Sequence, residues 1–244
     1  MPSPAALRLG LLLTAALVAM ALVPVPALAI GDVASTAHGY DISFPQCSSG
    51  APSLSQQFGV VGINGGRPFK YNPCLPQEYG WALSGSAKPQ VYINLEYGEL
   101  ARGYQTCDAA DQACRAYNFG YQAAQSAYVT AYQRTLGGSS VASIWWLDVE
   151  TMNDWNDSTA LNDQVIKGAL DYLRQAGRTA GIYSTPSQYR EIAGGYAPAG
   201  VGNWVVGSGN SDSDLCGKPL WPGGHVWMFQ WINWDADIDE NQAC

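Results

Sequence analysis

The sequence predicts an α/β fold, a single (β/α) TIM-barrel-like domain with irregular stretches, over residues 30–244. Three observations predict it. Short β-branched and aromatic runs alternate with segments of helical spacing, which implies a mainly parallel sheet, open or closed into a barrel. Acidic residues recur where successive runs stop: Asp41, Glu96, Asp148 with Glu150, then Asp237 with Asp239. In a barrel those ends face one mouth, so the carboxylates would share a cleft. No internal repeat or interdomain linker interrupts the pattern, and the Gly/Pro/Ser-rich patches have the length of loops.

Residues 1–29 read as a signal peptide. Arg8 is the sole charge, an apolar run fills 9–23, and Ala27-Leu28-Ala29 supplies small residues for cleavage. The run is short for a membrane span and breaks at Pro24 and Pro26, so no stable membrane insertion is expected after cleavage, and a secreted product is. Taking 29 from 244 leaves 215 residues, enough for one domain with a sizeable core. Without Arg8, 11 basic residues face 20 acidic ones, a formal charge of −9. Nucleic acid is therefore not an expected partner. A monomer is expected.

The elements follow in order. Strands are expected over 38–43, 58–64, 90–96, 143–149, 179–184, 203–206 and 225–231, and an acidic tail over 235–240. Asp41 stands near the end of the first, with Gln46 just beyond, and Gly65-Gly66 closes the second. Helices are expected over 74–83, 114–136, 159–175 and 186–192. The second is rich in Ala, Gln and Tyr and ends at Gly137-Gly138; the third carries a stripe of Leu161, Val165, Ala169, Leu170 and Leu173 and ends at Gly177.

The chemistry concentrates in residues 143–151, where an apolar run reaches Asp148 and Glu150. Side chains alternate along a strand, so these two carboxylates point to one side, at the strand's C-terminal end. So close a pair cannot both ionise freely, and acid-assisted glycosidic cleavage needs one carboxyl that keeps its proton. The plainer reading makes them caps and dipole partners of a helix start. Nine tryptophans and fourteen tyrosines suit sugar stacking, and Trp145, Trp146, Trp155, Tyr183, Trp231 and Trp234 fall near the expected mouth. Core packing is the favoured reading for any single one of them. Trp145 and Trp146 must face opposite ways, so only one can line a site.

Six cysteines in an exported chain imply disulfides, and sequence alone allows fifteen pairings. Spacing favours Cys47 with Cys74, Cys107 with Cys114, and Cys216 with Cys244. No CxxC pair exists and His38 and His225 stand apart, so neither a metal nor another cofactor is expected, and both histidines read as structural or surface groups. No Gly-x-Ser-x-Gly elbow marks a serine hydrolase.

Four segments, in order, resemble glycoside hydrolase family 25 lysozymes. They are Gly39-Tyr40-Asp41-Ile42-Ser43 with Gln46, Trp146-Leu147-Asp148-Val149-Glu150, Gly181-Ile182-Tyr183-Ser184, and Phe229-Gln230-Trp231 followed by Ile238-Asp239-Glu240-Asn241. The cysteine-rich insertions are similar to a set of actinobacterial secreted proteins related to that family and to the lysozyme-like domain of unknown function 1906. The chain departs from the lysozymes at Asn94-Leu95-Glu96-Tyr97, where they carry an aromatic-rich segment, and in its acidic tail.

The resemblance implies a wall-glycan hydrolase with Glu150 as general acid. Asp148 would support it or orient the substrate acetamido group, and Asp41 and Asp239 would bind or polarise substrate. Apart from the resemblance, a charged Asp148 this close is expected to raise the proton affinity of Glu150. Asp237, Glu96, Trp146, Tyr183, Gln230 and Trp231 complete the expected substrate-binding set, with Asp237 and Asp239 open as alternatives for the C-terminal carboxylate. The substrate implied is peptidoglycan, at its N-acetylmuramyl linkage, or another cell-envelope polysaccharide. The competing reading is a secreted carbohydrate-binding protein that keeps the barrel without turnover.

Overall fold

A computed structural model describes residues 36–51, 56–135, 137–138, 142–207, 213–234 and 238–244. The expected signal peptide over 1–29, and Asp237, lie outside the described residues. Among the described residues eight strands close into one barrel in chain order: β1 (His38–Ile42), β2 (Phe58–Gly62), β3 (Gln90–Asn94), β4 (Trp145–Asp148), β5 (Ala180–Ser184), β6 (Gly202–Val206), β7 (His225–Asn233) and β8 (Ile238–Ala243). β1 to β7 are parallel, while β8 runs antiparallel to both β7 and β1 and closes the ring.

Four helices cover the outside. α1 (Leu75–Ala82) links β2 to β3, α2 (Gln112–Arg134) links β3 to β4, α3 (Thr159–Gln175) links β4 to β5, and α4 (Pro186–Ala193) links β5 to β6. The starts are chemically marked: Asp111 accepts the Cys114 N–H at 2.9 Å ahead of α2, and Thr185 Oγ1 accepts the Gln188 N–H at 3.1 Å ahead of α4. Short 3₁₀ turns at Phe44–Cys47 and Ser213–Gly217 stand where a regular barrel would carry helices. No helix of the described residues is long and apolar enough to cross a membrane.

Strand alternation separates two cores. Trp145, Leu147, Val149, Ile182 and Phe229 pack outward under the helices with Ile166, Leu170 and Leu173, while Phe58, Val60, Trp146, Trp204 and Met228 fill the barrel. Gly181 leaves room for that filling, since a Cβ there would stand 2.2 Å from the Trp146 ring.

The acidic tail expected over 235–240 is in part a strand. β8 has little apolar alternation to announce it. It is held by backbone ladders on both edges and by polar contacts: Glu240 meets His38 Nε2 at 2.8 Å and Asn233 Nδ2 at 2.5 Å.

All three expected disulfides are present: Cys47–Cys74, Cys107–Cys114 and Cys216–Cys244, at sequence separations of 27, 7 and 28. Loop-closure entropy ranks them. Replacing both cysteines of Cys216–Cys244 by serine should cost about 3–4 kcal/mol, and of Cys107–Cys114 about 2 kcal/mol. Denaturant midpoints of the two double variants check this, and a larger loss at the shorter loop would contradict it.

Candidate active site

At the C-terminal ends of the parallel strands lies a cleft of about 330 Å³, lined by Asp41, Tyr92, Asn94, Asp148, Glu150, Tyr183, Trp204, Gln230 and Asp239, with Ser43, Gln46 and the exposed Met152 at its rim. Among the described residues four carboxyls face it, and no Lys, Arg or His lines it. Each arrives by its strand. Asp41 is one residue short of the end of β1, and Asp148 is the last residue of β4. Glu150 stands two further on, so it keeps the same facing. β8 runs the opposite way, so Asp239, near its start, lies directly across from Asp41 in the ladder. Asp239 therefore lines the cleft, while Asp237 lies outside the described residues.

Asp41 is 8% exposed, and its Oδ2 accepts from Gln230 Nε2 at 2.8 Å and Asn241 Nδ2 at 2.6 Å. Gln230 Oε1 in turn accepts the Tyr183 hydroxyl at 2.7 Å, so one chain of hydrogen bonds joins β5, β7, β1 and β8. Trp204, 1% exposed, forms part of the floor, its ring 4.4 Å from that of Tyr183 and 6.3 Å from that of Tyr92. Burial pushes the Tyr92 and Tyr183 hydroxyls well above their ordinary range, so both remain proton donors.

The carboxyls hold protons for the same reason. Burial, then the charge of Asp239, holds Asp41 well above the usual carboxylate range, against the opposing hydrogen bonds of Asn241 and Gln230. Burial, then the charge of Glu150, raises Asp148 well above it. Glu150 is raised by burial and by Asp239, while its hydrogen bond with Asp148 pulls it down. Asp148, 4% exposed, is the more deeply buried of the two. The two behave as one unit that titrates together.

The remaining expected residues divide. Tyr183 and Gln230 line the cleft, while Glu96, Trp146 and Trp231 do not. Strand β3 ends at Asn94, not at residue 96, and Glu96 instead stands 3.9 Å from the Arg67 guanidinium. Trp146 is fully buried, its Nε1 donating to Gln90 Oε1 at 2.6 Å, because its facing points into the packed barrel below the cleft. Trp231 alternates with Gln230 and packs in the outer core against Phe229. Trp145 is likewise in the outer core, Trp155 donates its Nε1 to the Glu150 carbonyl at 2.8 Å, and Trp234 is 75% exposed. Sequence reasoning missed Ser43, Tyr92, Asn94, Trp204 and the role of Asn241. Strand parity could have found Tyr92 and Asn94, which share the facing of Asp148 once β3 is ended at its ladder partner.

Comparison with known proteins agrees with this geometry. The family model described as "Lysozyme-like protein 1" matches residues 90–205. A Dictyostelium discoideum protein named "Probable GH family 25 lysozyme 4" is 29% identical over 134 residues, covering 51% of this chain and 58% of that one. The chain thus spans somewhat over half the length of that relative. Among solved structures, the bacterial lysozyme of Streptomyces coelicolor matches with a TM-score of 0.57 at 14% identity, over 86% of this chain and 93% of that one. The family GH25 lysozyme of Aspergillus fumigatus matches with 0.52 at 14%, over 86% and 94%. The modular autolysin LytC of Streptococcus pneumoniae, in complex with a synthetic peptidoglycan ligand, matches with 0.53 at 14%, over 86% and 47%. The chain is lysozyme-like, similar to glycoside hydrolase family 25 in the fold of its barrel and in sequence over its central half.

Proposed function

We propose that this chain is a secreted, monomeric glycosidase that cleaves a cell-envelope glycan, of the peptidoglycan N-acetylmuramyl type or a related wall polysaccharide, by carboxylate acid catalysis. The observation that carries the reading is the buried Asp148–Glu150 pair, opening into a cleft it shares with Asp41 and Asp239. Such a pair supplies a carboxyl that keeps its proton above the ordinary carboxylate range. Glu150, less buried than Asp148, gives its proton to the leaving glycosidic oxygen; water then adds to the sugar carbon and its released proton returns to the Asp148–Glu150 pair. Asp239, whose charge helps to hold the proton on Asp41, faces the positive charge that develops on the sugar ring, and Asp41 binds the substrate. Tyr92 and Tyr183 donate to ring substituents over the Trp204 floor. A peptidoglycan substrate is supported by the ligand bound to the structurally similar autolysin.

The test uses the chain from residue 30 onward, incubated with peptidoglycan and, separately, with a wall polysaccharide lacking muramyl residues. New reducing ends and shortened products from peptidoglycan are expected. Binding without new reducing ends would overturn hydrolysis and leave the non-catalytic binder.

The raised carboxyls also set the pH response. Their folded values lie above the ordinary 3.8 of Asp and 4.5 of Glu, so each stabilises the fold fully below those values. That contribution is lost as pH rises through the folded values, and the catalytic proton leaves over the same window. Turnover and melting temperature should therefore both fall on the alkaline side. A kcat/KM that climbs steadily from pH 5 to pH 9 would count against the pair as acid.

A further inference from the structure

We propose that Asn94 is a positioning residue that commits one carboxyl oxygen of Asp148 as an acceptor and so confines any proton on Asp148 to its other oxygen, Oδ1. The inference rests on the hydrolase reading of the cleft for its catalytic meaning, and on hydrogen-bond geometry for its substance. Asn94 ends β3 directly opposite Asp148 in the parallel ladder, and its side-chain Nδ2 donates to Asp148 Oδ2. An amide N–H cannot give up its proton here, so Oδ2 is committed as an acceptor. A proton carried by Asp148 is left only Oδ1, which is buried and makes no hydrogen bond to another described residue.

The amide is held in place from behind. Asn64, 4% exposed and just past β2, accepts the Asn94 backbone N–H on Oδ1 at 2.9 Å and donates from Nδ2 to the Asn94 carbonyl at 2.9 Å. On the other side, the Leu95 N–H donates to the Asp148 carbonyl at 3.0 Å. Both peptide units around Asn94 are thereby fixed, and its side chain has one direction in which to reach. Every other titratable group facing Asp148 belongs to a different strand or to its own: Glu150 on β4's extension, Asp41 on β1, Asp239 on β8, Tyr92 on β3 and Tyr183 on β5. None of these is a cation. Asn94 is therefore the neutral donor that favours an ionised Asp148, among carboxylates that oppose it.

The test follows the carboxyl carbons of Asp148 and Glu150 by 13C NMR across pH in the wild type and in Asn94→Leu, alongside the pH profile of kcat. Losing a hydrogen bond to a charged acceptor should move the Asp148 step upward by about one pH unit. The alkaline limb of kcat should move the same way, with KM changed less than kcat. Asn94→Ser, smaller and polar, provides the same reading if the leucine variant does not fold. Asn64→Ala, which frees the backbone and keeps the amide, should give a smaller shift in the same direction. A folded Asn94 variant whose carboxyl titration matches the wild type overturns the proposal. The NMR titration is readable in a protein that cleaves nothing, so failure of the hydrolase reading would show separately, as absent turnover with the carboxyl shift intact.

Discussion

Glu150→Gln should lose roughly 10²–10⁴ in turnover on any glycan that the wild type cleaves. The substitution keeps the side chain's shape and its capacity to hydrogen-bond in a half-buried position, but removes the transferable proton. Nothing else lining the cleft can replace it in the same place. Asp148 lies deeper, and Asp41 is tied by Gln230 and Asn241 on the far wall. The Tyr92 and Tyr183 hydroxyls are held too strongly to serve as acids near neutrality. Binding should survive, because Trp204, Tyr183 and the Asp41 network are untouched. Paired measurements of kcat and of glycan affinity decide it. A Gln variant with undiminished turnover would remove Glu150 from the chemistry, and one that also stops binding would make it a ligand-holding residue instead.

The part of this site legible in the sequence is the part written as strand-end carboxylates. Asp41, Asp148 and Glu150 are spaced so that alternation alone brings them to one mouth, and the structure places them there. Asp239 was legible only as one of two alternatives, because its place depends on β8 running backwards beside β1, and β8 is built from polar residues that carry no strand signature. The aromatics were the least legible. A tryptophan on a barrel strand can fill the interior, pack under a helix or line the cleft, and the sequence reports its facing without its depth. Trp146 and Trp204 both point inward and touch one another, with ring centroids 5.5 Å apart. Only Trp204 reaches the cleft. The length of β3 mattered in the same way: ending it at residue 96 promoted Glu96 to the site and hid Asn94.

Gly168→Ala should destabilise the protein by about 3 kcal/mol, a large fraction of the 5–15 kcal/mol typical of a folded domain. A Cβ at Gly168 would stand 2.1 Å from the Tyr117 carbonyl oxygen and 2.9 Å from the Tyr121 nitrogen, and a Cβ at Gly120 would stand 1.9 Å from the Val165 carbonyl oxygen. The two glycines face each other across α2 and α3, whose backbones are in direct contact there. The obstructing atoms are main chain, so no rotamer change relieves the clash, and the helices must separate. Separation would loosen the outer core around Leu170 and Ala124, which packs against β4, the strand carrying Asp148. Alanine's better helix propensity offsets about 1 kcal/mol of the overpacking and cannot cancel it. At roughly 2–4 °C per kcal/mol for a chain of this size, the melting temperature should drop by about 6–12 °C. Gly80→Ala is the matched control: it lies within α1 with nothing inside 4 Å of the new Cβ, so the same change should stabilise slightly. Equal midpoints for the two variants in a denaturant titration would show that the close approach of α2 and α3 does not limit stability.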